Sequence, residues 1–374
     1  MNTSALARLA ELCTEKKLSA ALLSNPATVA WLTGYAPPIQ TGPNPFEGGP
    51  ALAWWQDGHL TLVLSDGEAA AARAQGAEAC EYVAYSIECP AAGFSNQIAA
   101  LGRLIRGANG AKAAVGAELN FLPAATLKAL SDVLPCADLI ALDGSFDLLR
   151  AVKSPEEVER IRAALALCDL AQDESKRLMQ PGVSEVELWT AVKGRLEIEA
   201  GARLPVLADF IAGTRTAEIG GLPGGYTLHD GDPLIADIVP RLNGYWGDNC
   251  GTHFLGEPSP ELAKVYRLVR DTLRMGVEAI RPGVRACDLD HQMREAIQSA
   301  GYPVYPHHSG HGLGATYHEE PRIVPYNTQA LQPGMVIALE PGIYLPDVGG
   351  VRLEDVVLVT QDGCELLTRH LAGS

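Results

Sequence analysis

No apolar run in this chain approaches the roughly 20 residues a helix needs to cross a bilayer, so no candidate membrane span is present. The amino-terminal stretch "MNTSALARLAELCTEKKLSAALL" places charges where a secretory leader keeps an unbroken apolar core, and a cytoplasmic protein is expected. Positive charge is scarce as well. Against 45 Asp and Glu stand 29 Lys and Arg, a formal net charge of −16, and no basic patch interrupts that field. Phosphate surfaces repel it, so neither nucleic acid nor membrane is an expected partner. Eight cysteines (Cys13, Cys80, Cys89, Cys136, Cys168, Cys250, Cys287, Cys364) lack any C-x-x-C spacing. That excludes a zinc knuckle or a disulfide framework and fits small buried hydrophobes in a reducing compartment. No glycine fingerprint opens a helix after a strand, so no nucleotide site is expected.

What is present is a globular composition, 47% hydrophobic and 20% charged over 374 residues, long enough for two domains with cores of their own. Over residues 1–150, short apolar runs ("SAALLS", "LTLVLS", "KAAVGAE", "LIALDG") alternate with helical patterns ("ALARLAELCTEKK", "FSNQIAALGRLIRG", "LPAATLKALSDVL"), the rhythm of an α/β domain. The Pro- and Gly-rich segment "YAPPIQTGPNPFEGGP" (35–50) reads as a long loop. In "VKSPEEVERIR", Ser154 is a helix cap, Pro155 the first helical residue and Glu157 the third, so a new domain, 151–374, begins here.

That second domain repeats itself. "PGVSEVELWTAVKGRLEIEAG" (181–201) and "PGVRACDLDHQMREAIQSAG" (282–301) share a start, a helical pattern and a finish; downstream, "LHDGDPLIAD" and "LQPGMVIALE" both run Leu, Gly three on, an acid six further. An internal duplication of helix and acid-bearing strand is expected. The acids are Asp237 in "PLIADIVP" and Glu340 in "MVIALEPGIY". Glu354 in "VRLEDVVLV" lies in a third β-branched run of the kind that reads as a buried strand. A two-residue turn at Asn243-Gly244 would place Asp248 diagonal to Asp237 on one face. Glu340 and Glu354 flank a second predicted hairpin.

Four buried carboxylates repel one another unless cations join them. With no thiolate, they favour hard or borderline divalent ions, and their number suits two ions roughly 3.5–4 Å apart. The stretch "YPHHSGHGLGATYHEEP" (305–321) adds His311 as a fifth ligand, flanked by glycines that suit close approach to a ligand. Its "HEEP" is not H-E-x-x-H, which excludes the helical zinc-protease motif.

Asp237 and Asp248, "SGHGLGATYHEEP", "LQPGMVIALEPGIY" and "GGVRLEDVVLV", with "NPATVAWLTGY" and "VKSPEEVERIR" upstream, together resemble the pita-bread metallopeptidases, and among them prolidases and Xaa-Pro aminopeptidases. The resemblance covers essentially the whole chain. It implies an α/β creatinase-like N-terminal domain, an α+β pita-bread catalytic domain with a pseudo-twofold repeat, and a homodimer. It also implies two divalent ions, manganese first, with Co, Zn, Fe or Mg as alternatives, held by Asp237, Asp248, His311, Glu340 and Glu354.

By the same resemblance Glu340 handles the proton of a metal-bound water and His318 steadies the scissile carbonyl; Arg352 would hydrogen-bond a ligand carboxylate. Arg322 would hold the free carboxylate of a proline-containing dipeptide, unless it pairs with Glu319 or Glu320. The histidine such enzymes carry about 17 residues before the first ligand is Gly220 here, and His229, His253 or His307 are the candidates to fill the substrate site. The implied activity is cleavage of the Xaa-Pro bond of dipeptides. Its alternatives are Xaa-Pro aminopeptidase action on longer peptides, other chemistry on this fold (an amidinohydrolase or lyase), a methionine aminopeptidase, and a non-catalytic binding module.

Overall fold

The computed structural model describes residues 1–39, 46–106, 114–135 and 137–371. The chain divides into two compact units, Met1–Leu149 and Arg150–Ser374. In the first, helices α1 (Thr3–Glu15) and α2 (Pro26–Thr33) each start on an asparagine whose side chain accepts from the opening turn. Strands β1 (Ala20–Leu23), β2 (Leu52–Gln56), β3 (His59–Ser65), β4 (Glu78–Tyr82), β5 (Val115–Ala117) and β6 (Leu139–Ala141) form one sheet in the order β4-β3-β2-β1-β5-β6. It is parallel except where β2 pairs antiparallel with β1 and β3. Helices α3 (Asp66–Ala74), α4 (Gly93–Arg106) and α5 (Ala124–Val133) connect the strands, and α6 (Ser145–Ala151) leads out.

The sequence pattern shows four of these strands. It misses β4, which exposes Glu78 and Glu81 and so carries no apolar run, and β2, an apolar stretch with two tryptophans. Of the predicted 35–50 loop, residues 40–45 lie outside the described residues, as does Cys136. Among the described residues the cysteines are free thiols, and no helix is long and apolar enough to cross a membrane.

The second unit opens with α7 (Pro155–Leu178). Ser154 Oγ accepts from the Glu157 amide at 3.3 Å while the Glu157 carboxylate accepts from the Ser154 amide at 3.0 Å, the reciprocal cap its sequence predicts. There follow α8 (Glu185–Ala200), β7 (Val206–Ala212), β8 (Pro233–Leu242), β9 (Tyr245–Trp246) and β10 (Asn249–Phe254). The second half holds α9 (Pro260–Ala279), α10 (Ala286–Ser299), β11 (Gly310–Gly312), β12 (Glu319–Ile323), β13 (Val336–Leu339), β14 (Gly342–Leu345), β15 (Gly349–Arg352), β16 (Asp355–Val359) and β17 (Cys364–Leu366). The sheets run β10-β8-β7, with β9 on β8, and β12-β11-β13-β16-β17, with β14-β15 as a separate hairpin.

The duplication appears in the hydrogen bonds. Ser184 bridges to Thr227 and Arg285 to Ala330. The Gly182 amide donates to Leu228 O and the Gly283 amide to Leu331 O, both at 2.9 Å, each glycine at a left-handed φ near 90°. Each half packs a helix pair on its own strands. Leu234, Ala236 and Ile238 of β8 bury against Leu167, Leu188 and Val192; Ile337 and Leu339 of β13 bury against Val269, Leu273 and Met293. Each of these side chains other than that of Ala236 contributes about 1.5–3 kcal/mol when fully buried. Because strand side chains alternate, the residues between these apolar anchors, including Asp237, face the other way. The two halves are stitched by the Glu354 amide donating to Cys250 O at 2.9 Å and the Arg352 amide to Thr252 Oγ1 at 3.0 Å.

Candidate metal centre

The hairpin that presents the first two acids has Asn243 and Gly244 both at positive φ, the turn that matches strand twist. Leu242 faces Tyr245 and Asp237 faces Cys250, so Asp248, two residues before Cys250, lies diagonal to Asp237. The other two acids sit between two ladders of one register. Leu339 pairs with Asp355 on one side and Gly342 with Arg352 on the other, which sets Glu340 opposite Glu354.

His311 sits in the middle of β11, opposite Ala338. The glycines beside it serve the sheet: a Cβ on Gly310 or Gly312 would overlap the carbonyl oxygens of Ala338 or Glu320. Their close approach is therefore to neighbouring strands, where the sequence reading had placed a ligand. His311 Nδ1 hydrogen-bonds the Gly312 carbonyl at 2.9 Å and so carries the proton, which turns the Nε2 lone pair toward Asp248 Oδ2 at 3.7 Å and Glu340 Oε1 at 3.5 Å.

All five side chains line one cavity of about 430 Å³. Two of its carboxylate oxygens, Asp237 Oδ1 and Glu354 Oε1, are buried without a hydrogen-bond partner, and ligand atoms of Asp248, His311 and Glu354 lie within 4.8 Å of one another. Burial and the neighbouring acids hold Asp248 and Glu354 well above the usual carboxylate range; burial pushes Asp237 up to about 6 although Arg352 opposes it. Glu340 goes the other way. Burial raises it, but the hydrogen bond from His308 and the imidazoles of His311 and His307 around it bring it down to about 2. Burial lowers His311 to about 3, and partial desolvation of the ring with His308 beside it lowers His318 to about 4, so both imidazoles are neutral at pH 7 with a lone pair free for a cation or an N–H free to donate. Unpaired buried carboxylate oxygens beside a neutral imidazole form a donor set that fits divalent ions.

Arg352 reaches this cluster from β15. Its guanidinium donates to Asp237 Oδ2 at 2.6 Å, to Asp209 Oδ2 at 2.7 Å and to the Tyr344 hydroxyl at 3.2 Å. Asp209 faces Asp237 across β7 and β8 and lines the cavity. It escapes the sequence reading, although it is an acid inside an apolar run, "VLADFIA", the same signal that singles out Asp237. At Gly220, φ is +80° and a Cβ would stand 3.6 Å from the Asp209 carboxylate oxygens.

None of the three histidines proposed to compensate for Gly220 lines the cavity. His229 is exposed beside Asp232, and His253 is buried against Gln172 Oε1 at 2.7 Å. His307, the residue expected to touch substrate, stacks on Tyr305 and hydrogen-bonds the Tyr344 hydroxyl at 2.9 Å, behind the acids. Nearer to Glu340 is His308, given no role by its sequence context and likewise outside the cavity lining, with Nε2 at 2.8 Å from Oε1, against 4.0 Å for His307 Nδ1 to Oε2. His318 stands exposed at the cavity lining, its ring centroid 4.4 Å from that of His311. Arg322 is half exposed, does not line the cavity, and approaches Glu320 Oε1 at 3.8 Å. Glu319 is not its partner: that carboxylate is buried between Arg150 and Lys153. Trp189, Leu207, Leu222 and Tyr317 supply an apolar wall opposite the acids.

Comparison with known proteins identifies the family and the fold. Residues 159–361 match the model of metallopeptidase family M24, and residues 6–152 that of the creatinase/prolidase N-terminal domain. An uncharacterized peptidase, YqhT of Bacillus subtilis strain 168, is 33% identical over 259 residues, 68% of this chain and 72% of that protein. Among solved structures, the prolidase of Pyrococcus horikoshii OT3 superposes with a TM-score of 0.83 at 24% identity, over 98% of each chain. A dipeptidase of the same organism gives 0.82 at 27% identity, over 97% of each.

Proposed function

The chain belongs to metallopeptidase family M24, and from that premise we propose that it hydrolyses the Xaa-Pro bond of dipeptides at a centre of two divalent ions. The observation that carries the reading is the convergence of Asp237, Asp248, His311, Glu340 and Glu354 on one cavity in which two carboxylate oxygens are buried without partners. When bound, two such ions, manganese first among Mn, Co, Zn, Fe and Mg, supply a water acidic enough to attack near pH 7.

The chain's own groups do the rest. Glu340, oriented by His308 at 2.8 Å, takes the proton of the attacking water and passes it to the departing proline nitrogen. Neutral His318 donates its N–H to the scissile carbonyl oxygen as charge develops there. The wall formed by Trp189, Leu207 and Leu222 takes the pyrrolidine ring or an apolar first residue. Arg352 keeps Asp237 ionised and fixed in direction. The names of the two solved relatives, a prolidase and a dipeptidase, accord with dipeptide substrates.

Arg322 favours a second reading, Xaa-Pro aminopeptidase action, because its guanidinium lies beside Glu320 outside the cavity lining. Kinetics of the manganese-loaded protein on Xaa-Pro, Xaa-Pro-Xaa and Met-peptides, with wild type and Arg322→Ala, decides between them. The dipeptidase reading expects a preference for Xaa-Pro that Arg322→Ala removes selectively. Preference for the tripeptide moves the assignment to the aminopeptidase, and no cleavage of any proline peptide refutes both.

A further inference from the structure

His308, His311 and His318 come from a loop, a strand and a turn, yet all three rings meet edge to face. Their centroids are 5.2 Å apart for His308–His311, 5.0 Å for His308–His318 and 4.4 Å for His311–His318. Each offers a ring nitrogen within 4.8 Å of the other two. Glu340 Oε1 closes the group, 2.8 Å from His308 Nε2 and 3.5 Å from His311 Nε2. A tetrahedral zinc site with bonds of about 2.0–2.2 Å has ligand atoms about 3.4 Å apart, so the observed separations bracket what one ion requires. His318 is exposed, so its ring has room to turn toward the other two.

We propose that His308, His311, His318 and Glu340 form an alternative site for a single zinc-like ion. On the ligand assignment proposed above, this site shares His311 and Glu340 with the two-ion centre, so the two modes exclude each other. The chemistry of the donors separates them. The two-ion set has one imidazole among five ligands, which suits manganese, whereas three imidazoles and one carboxylate suit zinc. Excess zinc then acts as an inhibitor by withdrawing His311 and the base Glu340 from the hydrolytic arrangement. His308 is the residue that makes this possible, since it belongs to the trio and not to the five.

X-ray absorption on metal-free wild-type protein given one equivalent of zinc reads the ligands directly and needs no substrate. Three imidazoles per zinc are expected. One imidazole or fewer per zinc, as the carboxylate set would give, overturns the proposal. A second measurement compares affinities: His308→Asn should weaken zinc binding by about tenfold or more beyond any change in manganese binding. Equal losses for both ions would mean that His308 serves only to orient Glu340, and the proposal would fall. Neither readout depends on peptide cleavage, so a protein that binds zinc this way yet cleaves no proline peptide would count against the peptidase reading alone.

Discussion

The two halves of the second unit share a backbone plan and divide its charges unequally. Asp237 and Glu340 occupy equivalent places, nine residues after the leucines that carry the matching hydrogen bonds, Leu228 and Leu331. The strands beside them have diverged. Opposite Asp237 stands Asp209, with Ile211 two residues on; opposite Glu340 stands Ser309, with His311 two residues on. On the other side, the register that gives the second half Arg352 and Glu354 gives the first half Asp248 and Cys250. Of the titratable groups lining the cavity, the first half therefore offers only carboxylates, Asp209, Asp237 and Asp248, while the histidines there and Arg352 come from the second. Equivalent acids consequently titrate in opposite directions, Asp237 rising to about 6 and Glu340 falling to about 2. Duplication gave the scaffold; divergence of its flanking strands left one acid among carboxylates and an arginine and set the other among histidines.

The largest expected effect tests that division. Glu340→Gln should lower turnover at least about a hundredfold while much of the manganese stays bound. Asp237→Asn should instead show itself as manganese lost on gel filtration. Equal metal content and equal residual turnover in the two variants would erase the distinction. A smaller effect follows from pH. Asp237, Asp248 and Glu354 have folded-state proton affinities raised above their unfolded values, so the fold favours their protonated forms. Their contribution is thus most favourable below pH 4 and is lost as pH rises through the raised values, about 6 for Asp237. Manganese relieves the repulsion left at high pH, so the rise in Tm it produces should be greater at pH 8 than at pH 5, by about 3–6 °C. A rise that is equal or larger at pH 5 contradicts the sign. The smallest effect lies at the helix starts. Ser184 caps α8 reciprocally with Glu187, while Arg285, the matching cap of α10, makes no side-chain cap bond. Ser184→Ala should cost about 1 kcal/mol in denaturant unfolding and Arg285→Ala under about 0.5 kcal/mol.

Much of this was legible in the sequence where the physics is local. The Ser154 cap, the Asn243-Gly244 turn and Asp237 inside its β-branched run each depend on residues a few positions apart, and each lies where its pattern predicts; Glu340 and Glu354, expected inside strands, instead occupy the breaks between β13 and β14 and between β15 and β16. Long-range relations were less legible. Arg352 meets Asp209 across 143 positions, and His307 meets Tyr344 across 37. No spacing rule announces such pairs. His308 and His307 are adjacent and chemically alike, and only the path of the loop decides which of them turns to Glu340. Asp209 is a different case, since the test that found Asp237 would have found it too.

The main-chain seam between Cys250 and Glu354 has one further consequence. Residues 255–259 connect β10 to α9, so a chain severed there becomes two fragments, one holding Asp237 and Asp248, the other His311, Glu340 and Glu354. By mass action, an ion that needs donors from both fragments contributes its binding free energy to their association. Complementation between the fragments should then depend on metal concentration, and the protein could be rebuilt as a two-piece reporter whose reassembly senses a divalent cation.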